Sequence, residues 1–313
     1  MITSASKAML DELVNKLTEV YKELTVNRGK KLSYVGMTFD FTSTGKVKLT
    51  MEGYGNDILS SYGVEGKASS PALEHLFHVR EGIALLDEEQ RCHFHSRVAK
   101  ILYLAKRVRC DLLTAIVFLT MRVLVADVDD WEKLNRVLKY LNATPNIGLV
   151  LEPSNNIFVD AYVDASYGVH DGRQSHTGVF ITLGKGAIYV KSAKQKLVSK
   201  LSTEAELIGL SDSSSQVIWT REFLIAQGYD LDAAKIRQDN KSTMALVEKG
   251  RSTSERTRHI SIRYFFIKDR VDRGELSIEY TPTGDMVADI LTKPLQVDLF
   301  RRMRAALLNW HDG

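Results

Sequence analysis

One acidic residue constrains the fold of this 313-residue chain more than any other feature. Asp164 lies in the middle of an apolar, β-prone segment, "AYVDASYGV". A lone carboxylate is costly to bury in a strand unless a partner neutralises its charge. A fold that places this strand inside a sheet must therefore supply cations or polar partners beside Asp164.

The second half of the chain predicts an α/β fold. The strand around Asp164 precedes a predicted hairpin, "HTGVFITLGKGAIYVKS", with glycine at its turn. The strands "AKIRQDN" and "ELSIEYTP" then alternate with helical segments. The segment "STEAELIGLSDSSSQVIWTREFLIAQGY" predicts one broken helix or two successive helices, with Ser202 or Thr203 as the N-cap. Antiparallel strands followed by strands alternating with helices predict a mixed sheet with helices on its faces.

The first half is organised differently. Helical spacing covers residues 5–24, a hairpin is predicted on both sides of "STGK", and three helices are predicted between Asp87 and Asn142. The segment "TPNIGLVLEPSNN" contains the proline, glycine and asparagine residues typical of a boundary. We therefore expect two domains, at residues 1–150 and 155–313.

Composition narrows the class of protein and its location. Hydrophobic residues make up 44% and charged residues 26% of the chain, as in an ordinary globular protein. The two cysteines cannot form a disulfide framework, and no apolar run reaches the roughly 18 residues that span a bilayer. These features predict an intracellular protein without a membrane partner, and leave cytoplasm and nucleus open.

Four acids with apolar neighbours occur where such a fold could bring them together. Two follow strand patterns and two follow helical patterns, with Glu206 early in one helix and Asp289 in the terminal helix: Asp164, Glu206, Asp239 and Asp289. Carboxylates are the ligands that hard divalent cations prefer, and two such ions about 3.5–4 Å apart can cleave a phosphodiester. Each acid alone has an ordinary explanation as a turn residue, a helix cap or a partner of a helix dipole. Their joint order favours a metal site.

Residues 157–300 closely resemble the ribonuclease H domain of copia-type LTR retrotransposon polyproteins. The matching segments are "YVDASYG", "RQSHTGVFITLGKGAIYV", "SAKQKLVSKLSTEAELIGL", "QDNKSTMAL", "RTRHISIRYFFIKD" and "DMVADILTKPL". The resemblance implies a ribonuclease H-like mixed five-stranded sheet with flanking helices. It also implies that Asp164, Glu206, Asp239 and Asp289 are catalytic and bind two Mg²⁺ ions, with Mn²⁺ as a substitute. Glu204 competes for the second position, and the family pattern before "LIG" favours Glu206.

The same resemblance predicts a function. It implies a metal-dependent endonuclease that cleaves the RNA strand of RNA–DNA hybrids. The alternative is a catalytically silent retroelement remnant that binds nucleic acid or a polymerase partner. In the loop before the last aspartate, "TPTGDMVAD", the chain lacks a histidine that related nucleases often carry.

Upstream segments resemble reverse transcriptase more weakly. "YKELTVNRGKKLSYVGMTFDFTSTGKVKLTM" looks like the end of a polymerase palm, and the later helices look like thumb and connection. The paired-aspartate polymerase motif does not occur, and "DVDD" at 127–130 is interpreted as a solvated turn and helix N-cap. We therefore expect no polymerase activity from this chain alone. We also expect that the remaining polymerase part of the same polyprotein is its partner.

Basic clusters indicate where nucleic acid would bind. Five lysines and no acid occur between Lys185 and Lys200, and arginine and lysine are frequent between Glu248 and Arg273. Such clusters suit contacts with a phosphate backbone, although each lysine could simply be solvated. The preferred contacts are Lys194, Gln195, Arg256, Arg258 and His259.

Overall fold

The computed structural model describes residues 6–249 and 261–311, and these contain two five-stranded sheets. The elements of the first half are α1 (Lys7–Tyr21), β1 (Lys31–Tyr34), β2 (Met37–Asp40), β3 (Val47–Thr50), α2 (Glu52–Ser61), α3 (Glu88–Ala105), α4 (Leu113–Arg122), α5 (Val128–Ala143) and β4 (Leu149–Pro153). Those of the second half are β5 (Asp160–Ser166), β6 (His176–Thr182), β7 (Gly184–Lys185), β8 (Tyr189–Lys194), α6 (Ser202–Ala226), β9 (Ala234–Gln238), α7 (Lys241–Lys249), α8 (Ser261–Asp272), β10 (Leu276–Tyr280) and α9 (Val297–Leu308). In the described residues, no helix is long and apolar enough to cross a membrane.

The sheet of the second half has the strand order β10-β9-β5-β6-β8. The strands β5, β6 and β8 pair antiparallel, whereas β9 pairs parallel to both β5 and β10. The predicted mixed five-stranded sheet with flanking helices is therefore confirmed. β5 lies at its centre, so the strand that carries Asp164 is paired along both edges.

The helix that follows the hairpin is continuous, so the prediction of a break was wrong. α6 runs unbroken for 25 residues, and its N-cap is Leu201, without a side-chain hydrogen bond. Two residues with weak helix propensity lie on its buried face. Gly209 lies against Thr177 of β6, and Ser213 donates its hydroxyl hydrogen bond to the carbonyl of Gly209. Close packing on the sheet thus outweighs the weak helix propensity of these residues.

Asp289 does not lie in the terminal helix as the sequence predicted. It lies in a short 3₁₀ helix (Val287–Leu291) that Pro294 separates from α9. The 3₁₀ helix is anchored from the first half of the chain, because Thr114 of α4 donates a hydrogen bond of 2.6 Å to the carbonyl of Ile290. The first half of the chain therefore helps to position an acid of the second half.

The core of the first half continues into the C-terminal helix. Leu307 and Leu308 of α9 belong to the same buried cluster as Leu134 and Leu138 of α5. This core crosses the expected boundary at residues 150–155. The division into two domains stays a prediction.

A buried polar network also joins the two halves. Arg109 donates two hydrogen bonds to Asp111, at 3.0 and 2.9 Å, and Tyr140 donates a third to the same carboxylate at 2.7 Å. Arg304 of α9 donates to the hydroxyl of Tyr140 at 3.2 Å. Burial raises the pKa of Asp111, but the charge and hydrogen bonds of Arg109 outweigh it, so the pKa lies below its usual range.

The acids of "DVDD" form a buried N-cap instead of a solvated one. Asp127 is the N-cap of α5 and forms a capping box with Asp130, as the N-cap prediction required. The expectation of solvation was wrong, because both acids are buried and pair with Arg122.

The buried network makes a prediction about stability. Asp111→Ala would leave the Arg109 guanidinium buried without its charge partner, so the free energy of unfolding should fall by about 3–5 kcal/mol. Urea denaturation followed by circular dichroism measures the change. In the control, Glu12→Ala removes an exposed ion pair with Lys16 and should cost less than about 1 kcal/mol. Equal and small effects of both substitutions would contradict this assignment.

Candidate metal centre

Three of the four predicted acids converge on one point at the edge of the second sheet. Asp164, Glu206 and Asp239 each offer a carboxylate oxygen, and these oxygens all lie within 4.8 Å of one another. Asp164 and Glu206 are buried, whereas Asp239 is half-buried. Oxygen donors at this spacing, with one side open to solvent, fit a hard divalent cation.

Strand register brings the two aspartates together. Tyr162 of β5 pairs with Arg237 of β9 in parallel, so two residues further along each strand Asp164 reaches Asp239. Asp239 is the first residue after β9, where the chain leaves the sheet. The carboxyl ends of two parallel neighbouring strands lie at the same end of the sheet, so both carboxylates lie at that end.

Glu206 reaches the same edge from α6. Glu206 and Gly209 are one helical turn apart and therefore share a face, and Gly209 packs against Thr177 and Ala165. The competing acid has a different partner, because Glu204 accepts a hydrogen bond of 2.7 Å from the backbone N–H of Lys200. The structure thus directs Glu206 to the cluster and uses Glu204 at the start of the helix.

The fourth acid lies beside the cluster and is held by a lysine. The ammonium of Lys293 lies 2.7 Å from Oδ1 of Asp289 and 3.4 Å from Oδ2 of Asp164. Thr292 donates a hydrogen bond to the same Oδ2 of Asp164. Asp289 therefore faces Asp164 across a positive charge.

A glycine allows this segment to come so close to the sheet. Gly178 of β6 pairs with Asp164, and a Cβ atom at Gly178 would lie 2.8 Å from the carbonyl of Ala288 and 2.7 Å from Cγ2 of Thr292. Any larger residue would push the 3₁₀ helix away from β5. The absence of a side chain at this position thus brings Asp289 to the site.

Burial and mutual repulsion disfavour the ionised acids. Burial, reinforced by the charges of Asp164 and Asp239, raises the pKa of Glu206 to about 9. Burial and Asp164 also raise the pKa of Asp289 to about 6, although Lys293 opposes the change. Burial lowers the pKa of Lys293, but Asp164 and Asp289 outweigh it and raise that pKa. A divalent cation would relieve the repulsion that these shifts reflect.

Several positioning residues escaped the sequence analysis. Gln238 is fully buried, accepts hydrogen bonds of 2.9 Å from the backbone N–H groups of Asp239 and Asn240, and lies 3.4 Å from Glu206. Thr283 donates a hydrogen bond of 2.8 Å to Asp239. One signal in the sequence could have identified Gln238: it directly precedes Asp239 in "QDN", at the end of a buried strand. An amide side chain in such a place needs hydrogen-bond partners.

The residues predicted to contact nucleic acid differ in their exposure to solvent. Lys194 is exposed at the end of β8. Gln195 is buried, and its amide donates to Thr177 at 2.9 Å and to the carbonyl of Ala205 at 2.8 Å, so it holds the start of α6 instead of facing solvent. Arg256, Arg258 and His259 lie outside the described residues.

Comparison with known proteins gives the relationship of the chain. No protein-family model matches it. It is 32% identical over 229 residues, 73% of its length, to the retrovirus-related Pol polyprotein from transposon RE2 of Arabidopsis thaliana. It is 26% identical over 300 residues to the Pol polyprotein from transposon TNT 1-94 of Nicotiana tabacum, and 23% identical over 312 residues to the transposon Ty1-MR1 Gag-Pol polyprotein of Saccharomyces cerevisiae. The last two alignments cover 94% and 92% of the chain. The chain spans only 15% of the RE2 polyprotein, 22% of the TNT 1-94 polyprotein and 17% of the Ty1-MR1 polyprotein.

Two solved structures are similar in part. LC11-RNase H1, isolated from compost, covers 43% of this chain at 16% identity and a TM-score of 0.33, with 91% of its own length aligned. The foamy viral protease-reverse transcriptase in complex with an RNA/DNA hybrid covers 90% of this chain at 11% identity and a TM-score of 0.47, with 34% of its own length aligned.

The raised pKa of Glu206 makes a prediction about the metal-free protein. Between about pH 4.5 and 9 the folded state binds a proton at Glu206 that the unfolded chain has lost, so stability falls as the pH rises through this window. Glu206→Gln cannot ionise, and in EDTA it should be more stable than wild type at pH 8 and lose less stability between pH 6 and pH 8. Urea denaturation at the two pH values measures the difference.

The matched control for this prediction is the neighbouring acid. Glu204→Gln keeps an oxygen that can accept the hydrogen bond from Lys200, so its dependence on pH should follow wild type. If the two variants behave alike, repulsion at the cluster is not the cause.

Proposed function

From its homology to the Pol polyproteins of copia/Ty1-type retrotransposons, we propose that this chain is a metal-dependent endonuclease that cleaves the RNA strand of RNA–DNA hybrids. The observation that carries the proposal is the convergence of Asp164, Glu206 and Asp239 within 4.8 Å at a partly open edge of the sheet. A cluster that serves stability alone would not retain acids whose charges repel one another, because replacing them with apolar residues would relieve the repulsion.

The proposal includes Mg²⁺ as the cofactor, with Mn²⁺ as a substitute. Asp164, Glu206 and Asp239 would hold one ion, and Asp164 with Asp289 would contribute to a second. When bound, such ions supply the charge that activates water and stabilises the leaving oxygen of a phosphodiester. Gln238, Thr283 and Thr292 hold the carboxylates in place, so little reorganisation is needed at the moment of reaction.

A basic groove supports nucleic acid as the substrate. It has a volume of about 1020 Å³, and its lining includes Thr177, which pairs with Ala165, the residue after Asp164; none of the four acids lines it. Lysines of β8 and of the loop that follows contribute its positive charge, whereas Arg263 of α8 pairs with Asp212, which also lines the groove; the lysines are Lys191, Lys194 and Lys196. Lysines in a groove suit contacts with a phosphate backbone and carry no base specificity.

The first half of the chain fits a partner role. Its helices share a core with α9, and its α4 holds the 3₁₀ helix that carries Asp289. We propose that the polymerase portion of a Pol polyprotein is the partner of this half.

The test is cleavage of a hybrid labelled on its RNA strand, in Mg²⁺ and in Mn²⁺. Wild type should cut the RNA strand, and EDTA should stop the reaction. Asp164→Asn should lower the rate by more than about 100-fold, because a bound ion supplies several kcal/mol of charge stabilisation. Asp285→Asn is the control, since this exposed acid lies outside the three-carboxylate cluster, and it should cut at the wild-type rate.

The outcomes separate the two functions. If wild type binds the hybrid but cuts it no faster than Asp164→Asn, the chain is a binding module and the nuclease proposal fails. Binding affinity alone does not discriminate, because both functions predict binding that weakens steeply with salt.

A further inference from the structure

Lys293 is a cation built into the acidic site. Its ammonium lies between Asp289 and Asp164, at 2.7 and 3.4 Å from their oxygens. Of the four acids, Asp289 is the one that lies outside the three-carboxylate cluster, and its carboxylate is the one that Lys293 holds most closely. The lysine thus divides the site into a side open to a metal ion and a side already neutralised.

The backbone fixes the base of this lysine and leaves its end movable. The N–H of Lys293 donates a hydrogen bond of 2.8 Å to the carbonyl of Asp289, so the two side chains leave the same turn. The side chain retains 36% of its exposure, whereas those of Asp164 and Asp289 retain 2% and 7%. A flexible lysine stem at a solvent boundary can turn outward, but the buried carboxylates cannot.

Charge counting shows what one metal ion would do. Once a bound ion has displaced the proton of Glu206, the four acids carry four negative charges, and Lys293 with that one divalent ion supplies three positive charges. A second divalent ion between Asp164 and Asp289 would meet the ammonium at contact distance, and like charges a few ångströms apart repel by several kcal/mol. The ion and the ammonium cannot occupy that position together.

We propose that Lys293 acts as an internal counter-ion that makes metal binding stepwise. The first ion binds at Asp164, Glu206 and Asp239 with Lys293 in place. A second ion, shared by Asp164 and Asp289, binds only when the ammonium swings into solvent. This inference rests on the proposed function for the presence of metal at the site, but it concerns the order and affinity of binding.

Mn²⁺ titration by calorimetry, without nucleic acid, tests the proposal on wild type and on Lys293→Met. Wild type should bind one ion tightly and a second at least about tenfold more weakly, since the second must displace a charge. Lys293→Met keeps the length of the side chain and removes the charge, so the second ion should bind about tenfold or more tightly than in wild type. The affinity for the first ion should change much less.

Three further variants make the result specific. Lys293→Gln should reproduce Lys293→Met, and it replaces that variant should Lys293→Met fail to fold. Lys293→Arg keeps the charge and should retain the weak second step. Lys200→Met removes an exposed lysine after β8 and should leave both steps unchanged.

Two results would overturn the proposal. One is a second step that does not tighten in Lys293→Met and Lys293→Gln, and the other is wild type that binds no Mn²⁺. The calorimetry is independent of hybrid cleavage. Stepwise binding without cleavage would therefore remove the proposed function and leave the role of Lys293 intact.

Discussion

Repulsion among carboxylates is the constraint to which the second half of this structure is adapted. Asp164 and Glu206 are buried within reach of Asp239, and burial together with their mutual charges raises the pKa of Glu206. The surrounding polar groups hold the acids in place: Thr292 donates to Asp164, Thr283 donates to Asp239, and Lys293 pairs with Asp289. These contacts compensate only part of the repulsion, so the cluster can still bind a cation.

The scaffold brings these charges together through sheet register and close packing. Parallel pairing of β5 with β9 aligns Asp164 with Asp239, and the missing side chain of Gly178 lets the 3₁₀ helix approach β5. The hydrogen bond from Thr114 ties that helix to α4, and the Arg109–Asp111–Tyr140 network continues to Arg304 of α9. The first half of the chain is therefore packed against the segment that carries Asp289, although its helices supply none of the four acids.

The sequence predicted the parts of this arrangement that depend on local pattern. Alternation and helical spacing identified the strands and helices of the mixed sheet, and apolar neighbours marked the four acids. It failed where tertiary contacts decide the conformation. The prediction of a broken or double helix at α6 fails because packing on the sheet keeps the helix continuous, and the prediction of a solvated "DVDD" fails because Arg122 pairs with its buried acids. It could not reveal Lys293 between two carboxylates, because lysine four residues after an acid is also an ordinary surface pair.

Diffraction from crystals soaked in Mn²⁺, with anomalous data, would show directly whether the three carboxylates bind a metal ion. We expect an anomalous peak bounded by the carboxylates of Asp164, Glu206 and Asp239, with distances to oxygen of about 2.0–2.4 Å. A Mn²⁺-soaked structure in which these three side chains point apart, or in which the ion binds elsewhere and leaves them uncoordinated, would contradict it.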